Sequence, residues 1–136
     1  MQLQCEINGA TVMISGPEDN LQKAIDSTIF RNWITGLDPR FIVKAITIQA
    51  VDMFGPRVGL IKFVADVVDD AGSFIPGAVF MRGGAVAILM ILECEGREYV
   101  LLTSQARLPI GNFEYEETPA GMLDGSGHFA GVAAKE

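Results

Sequence analysis

The chain has 136 residues, of which 49% are hydrophobic and 20% charged, and carries a formal net charge of −7. That length and apolar fraction support a packed core and exclude a disordered chain. The acidic balance argues against a nucleic-acid surface, which needs clustered Lys and Arg. The longest uninterrupted apolar run, residues 85–92, is far short of the roughly 20 residues needed to span a bilayer.

Residues 1–15 lack the charged start and apolar centre of a signal peptide. Residues 1–7 and 11–14 alternate loosely about Asn8-Gly9, a pair that accepts two positive φ values, so a short hairpin is expected. Ser15-Gly-Pro-Glu18 has the makings of a capping box, opening one helix over about residues 17–35. Its apolar stripe is Leu21, Ala24, Ile25, Ile29 and Trp33. Gly36 and Asp38-Pro39 end it.

Two long runs, residues 41–54 and 57–69, meet at Gly55-Pro56 and show period-two faces at Ile46, Ile48, Ala50 and at Phe63, Ala65, Val67. A hairpin or meander is expected, followed after the turn at Asp69-Asp-Ala-Gly72 by a third strand over residues 74–81. Beyond Arg82-Gly-Gly84 the texture changes. Residues 85–92 form a continuous apolar run, expected as one strand covered on both faces. Glu95-Gly96 turns it back into a partner strand over residues 98–108, and Pro109, Gly111 and Pro119 frame an acidic loop, Glu114-Tyr-Glu-Glu117. Cys5 and Cys94 fit no metal spacing and read as ordinary thiols, and the single histidine, His128, reads as a surface residue.

The segment from Glu117-Thr-Pro-Ala-Gly121 onward carries the most specific signal. Five residues separate Gly121 from Gly127, and seven separate Gly127 from Lys135-Glu136. This spacing resembles the Nudix box, in which Gly is followed after five residues by Glu and after seven more by Arg-Glu, then Glu-Glu and Gly. Gly127 replaces the Glu of that pattern and Lys135 the Arg. The Glu-x-Pro-Ala-Gly opening, residues 51–63, residues 75–88 and Leu102-Thr-Ser-Gln-Ala-Arg-Leu-Pro-Ile-Gly111 resemble the nucleoside-diphosphate-sugar pyrophosphatases, in particular the ADP-sugar and UDP-sugar diphosphatases of plant and algal type.

The resemblance implies an α+β chain with residues 1–82 as a β-rich dimerisation-type domain of antiparallel strands and one helix. Residues 83–136 would then begin a Nudix α/β/α core with its first hairpin, the sequence stopping inside the box. It also implies roles for particular residues. Glu136 would be a metal-ligating and catalytic carboxylate, with Ala120 adding its backbone carbonyl to a Mg²⁺ shell. Arg107, with Gln105 beside it and Glu117 before the Pro-Ala-Gly turn, would contact substrate. In the family the metal-ligating carboxylates cluster on one helix face, and since Mg²⁺ takes an octahedral shell of hard oxygen ligands, one carboxylate and one carbonyl are too few. The expectation is therefore a nucleotide-sugar-pyrophosphatase relative that is noncatalytic as this polypeptide, Mg²⁺ entering only if the box is completed. Its alternatives are the N-terminal part of an active Mg²⁺-dependent ADP-sugar diphosphatase and a structural or docking subunit. The expected partner is a second copy or a larger assembly covering apolar faces, in the cytoplasm or an organelle such as the plastid.

Overall fold

The computed structural model describes residues 1–123, which fall into two compact units, Met1–Gly83 and the residues from Gly84 onward. The fold is α+β.

In the first unit, β1 (Gln2–Ile7) and β2 (Ala10–Ser15) form the expected antiparallel hairpin. Asn8 and Gly9 take φ of 50° and 78°, the left-handed values that a tight two-residue turn requires. The Asn8 side-chain amide donates to the Asp38 carbonyl at 3.2 Å, tying this turn to the loop that leads into β3.

The single helix expected after β2 is instead two, α1 (Leu21–Asp26) and α2 (Thr28–Gly36). The break lies at Ser27, whose extended backbone (φ −66°, ψ 146°) cannot continue a helix. Its hydroxyl donates to the Ala24 carbonyl at 2.6 Å and accepts from the Phe30 N–H at 3.3 Å, so one side chain closes α1 and caps α2. The expected capping box at Ser15 does not form. Ser15 ends β2, and its hydroxyl reaches Thr47 Oγ1 at 3.3 Å on the neighbouring strand.

The two helices carry the chain over to β3 (Ile42–Phe54), which pairs with β2 in parallel through Met13–Ala45, Ile14–Ile46 and Ser15–Thr47. Parallel neighbours need such a crossover, so the sheet is mixed where an antiparallel one was expected. β3 turns at Gly55-Pro56 into β4 (Arg57–Val68), and this long hairpin is the spine of a six-stranded sheet in the order β1-β2-β3-β4-β5 (Phe74–Ile75), with β6 (Ala78–Met81) also on β4. The third strand expected over residues 74–81 is divided into β5 (Phe74–Ile75) and β6 (Ala78–Met81). Pro76 lacks an N–H for a ladder, and the break falls there. At Gly77 the backbone approaches so closely that a Cβ would lie 1.9 Å from the Ala65 carbonyl oxygen.

The alternating residues of β3 and β4 bury Ile46, Ile48, Phe63, Ala65 and Val67 against Leu21, Ala24 and Phe30 of the helices. Trp33 and Phe63 pack edge-on with centroids 5.1 Å apart, and Phe30 lies 5.6 Å from Trp33 and 6.1 Å from Phe63. These geometries favour the ring quadrupoles. Phe30 and Trp33 therefore belong to the core of this unit. Among the described residues no helix is long and apolar enough to cross a membrane.

In the second unit the apolar run of residues 85–92 is not one strand. It divides into β7 (Ala85–Ala87) and β8 (Met90–Cys94), which have different partners. β8 pairs with β9 (Arg97–Leu101) around Glu95 and Gly96, whose φ of 51° and 73° make the expected turn. Leu89, Ile91 and Leu92 are exposed, contrary to a strand covered on both faces. Residues 98–108 are also divided, into β9 and β10 (Thr103–Arg107). A 3-10 turn over Leu108–Ile110 then leads into β11 (Asn112–Glu117), so the acidic segment expected as a loop is a strand.

Two substitutions test this packing. Phe63→Ala removes the ring shared by α2 and β4 and should cost about 3–5 kcal/mol in chemical denaturation. Gly77→Val should lower the melting temperature markedly through its clash with the Ala65 backbone, whereas Gly72→Asn, at an open left-handed turn position, should leave it nearly unchanged. Equal effects from the two glycine variants would contradict the close approach.

Candidate functional site

The site begins with a hairpin register. β10 and β11 pair antiparallel, with Thr103 opposite Glu117, Gln105 opposite Tyr115 and Arg107 opposite Asn112. Side chains two apart share a face of a strand, so Thr103, Gln105 and Arg107 line up on the face that Glu117 also occupies. From Gln105 to Arg107 the chain advances two residues while β11 advances three, a bulge of one extra residue in β11. The Thr103 hydroxyl donates to the Glu117 carbonyl at 3.2 Å, fixing the base of that side chain.

Three donors then meet on a single oxygen. Gln105 Nε2 donates to Glu117 Oε1 at 2.6 Å, Arg107 Nε donates to the same atom at 2.7 Å, and Arg107 Nη2 is directed at it as well. Charge-assisted bonds of this kind are the strong ones. The Arg107 bonds, and after them that from Gln105, hold the Glu117 carboxyl below the ordinary glutamate range against the opposing effect of partial burial.

The backbone of the Pro-Ala-Gly turn is placed by a second pairing. β12 (Ala120–Met122) runs antiparallel to β7, with Ala120 opposite Ala87 and Gly121 opposite Val86. The Ile88 N–H donates to the Pro119 carbonyl at 2.8 Å and the Leu123 N–H to the Gly84 carbonyl at 3.0 Å. Bonded and non-bonded pairs alternate along an antiparallel ladder, so the pair at Ala120 is non-bonded and its carbonyl points away from β7.

Of the residues singled out in the sequence, Gln105, Arg107 and Glu117 come together, and Ala120 presents its carbonyl off the edge of a short strand pair. Glu136, with Gly127, His128 and Lys135, lies outside the described residues. Thr103 was missed, although its period-two spacing with Gln105 and Arg107 was a usable signal.

A divalent metal finds few ligands here. Among the described residues no three His, Cys, Asp or Glu side chains gather to hold one, and one oxygen of the nearest carboxylate already accepts three hydrogen bonds. Among the described residues, these oxygens do not by themselves compose the octahedral shell that Mg²⁺ takes.

Compared with known proteins, the chain is 45% identical over 137 aligned positions to the chloroplastic Nudix hydrolase 14 of Arabidopsis thaliana. The chain is related to the Nudix hydrolases. The match takes in 93% of this chain and 43% of that protein, so the chain spans less than half the length of the relative it matches. No family model matches the sequence, and no solved structure matches it.

Glu117 supplies the test. A carboxyl held below its ordinary pKa keeps its contacts above the unfolded value and loses them as pH falls through the folded one. In a ¹³C titration the Glu117 side-chain carboxyl should therefore titrate below the ordinary glutamate range, and Arg107→Ala should raise its midpoint. A midpoint unmoved by Arg107→Ala would show that the guanidinium is not its main partner.

Proposed function

We propose that this chain supplies the β-rich unit and a diphosphate-contacting strand pair of a Nudix-type nucleotide-sugar diphosphatase, and that its 136 residues alone bind such a ligand without splitting it. The observation that carries this reading is the meeting of Gln105 and Arg107 at Glu117, immediately before the Pro-Ala-Gly turn. Arg suits a diphosphate because its planar fork matches phosphate oxygens and stays charged at any working pH. In this reading Arg107 and Gln105 face the substrate, and Ala120 offers a carbonyl to a Mg²⁺ ion that Glu136 would help to hold. Hydrolysis of a diphosphate by metal-activated water needs oxygen ligands that hold the metal; the Nudix box that the chain resembles supplies them as several carboxylates, and these residues provide one at the matching spacing.

ADP-sugars are the proposed substrate class, from the resemblance of residues 51–63, 75–88 and 102–111 to diphosphatases of that type. A second copy of the chain is the proposed partner of the β-rich unit. The plastid is the proposed compartment, supported by the description of the Arabidopsis relative as chloroplastic.

With ADP-ribose and Mg²⁺, a polypeptide of these 136 residues should release no sugar phosphate, while binding ADP-ribose at least tenfold more tightly than its Arg107→Ala variant. Metal-dependent turnover that Glu136→Gln abolishes would overturn the noncatalytic half of the proposal. Equal ADP-ribose affinity in the Arg107→Ala variant would overturn the binding half.

A further inference from the structure

We infer that Glu117 is a positioning residue for Arg107 and not itself a contact for substrate or metal; the inference rests on the reading of Arg107 as a phosphate ligand. A guanidinium has five N–H donors in a fixed plane. Two of them, on Nε and Nη2, are directed at Glu117 Oε1, which leaves three on the remaining edges. Among the described residues no other acceptor engages them. Holding one edge of a planar group fixes the direction of the others, so Glu117 aims the open part of the fork.

A stabilising ion pair explains the arrangement only in part. The Arg107 and Glu117 side chains retain 40% and 21% of their exposure, so solvent screens some of what the pair adds to folding stability. The arrangement is well explained as preorganisation. Arginine is long and rich in rotamers, and ordering it before a ligand arrives removes that cost from binding. The chemistry also fits the acidic chain. With a formal net charge of −7, the protein does not draw anions by its overall field, and the pair itself carries no net charge. Recognition must then come from short-range, directional hydrogen bonds, which depend on orientation. Gln105 donates to the same oxygen and so helps to fix the carboxylate.

A carboxamide at position 117 keeps an oxygen that can accept from Nε and Nη2, whereas a methyl does not. The two substitutions therefore separate aim from charge. Inorganic diphosphate is the probe, titrated calorimetrically into the 136-residue chain and its variants, with circular dichroism confirming that each is folded. Glu117→Gln should bind within threefold of the unsubstituted chain or more tightly, having lost a repelling charge. Glu117→Ala should bind at least tenfold more weakly. Arg107→Lys, a point charge without a fork, should lose as much. Glu117→Ala binding like the unsubstituted chain, or Glu117→Gln losing as much as Glu117→Ala, would overturn the positioning role. Failure of the underlying reading looks different: the unsubstituted chain then binds no diphosphate, or Arg107→Ala binds it equally well.

Discussion

The pairing of β10 with β11 is the constraint on which the candidate site depends. A strand offers alternate residues to one face, and a one-residue slip would send every side chain to the other side. The register that sets Thr103 opposite Glu117 is what gathers Gln105 and Arg107 at the same carboxylate. The hydroxyl of Thr103 holds that register at its end, by its bond to the Glu117 backbone. The bulge beyond Gln105 lies between this end and Arg107, so the reach of the arginine back toward Glu117 is set by local geometry as well as by its length.

The first unit is organised by a different physical effect. β4 lies between β3 on one side and β5 and β6 on the other, and its Phe63 joins the ring cluster with Phe30 and Trp33. Apolar burial on one face of a twisted sheet, closed by two short helices, needs no ligand to account for it. This unit holds the aromatic residues that could have been taken for a base-stacking surface. Their distances and burial assign Phe30 and Trp33 to the core, whereas Phe54 stays exposed at the tip of the long hairpin with Arg57 over its ring.

Much of this was legible in the residues. Asn8-Gly9 and Glu95-Gly96 announced their turns because few residues accept positive φ, and the period-two faces of β3 and β4 predicted which side chains are buried. The helix break at Ser27 was hidden, since the apolar spacing continues across it and only the doubled role of one hydroxyl reveals the stop. The run of residues 85–92 misled for another reason. Continuous apolarity signals a strand without saying where its partner changes, and here β7 and β8 pair in separate places. The segment Glu114–Glu117 is framed by Pro109, Gly111 and Pro119, which point to a loop. Its alternation of Phe113 and Tyr115 with polar neighbours was the better guide.

The identities of Arg107, Gln105 and Glu117 as a set came from resemblance, and their common meeting point came from the fold. In the proposed division of labour, Glu117 aims the guanidinium and Arg107 binds a diphosphate. That division is tested most directly by ¹⁵N spectra of the Arg107 side chain during addition of inorganic diphosphate. The account predicts that the Nε–H stays bonded to Glu117 and protected from exchange throughout, while the Nη signals shift with ligand. Loss of Nε–H protection as diphosphate binds would mean that the ligand displaces Glu117, and would contradict the account.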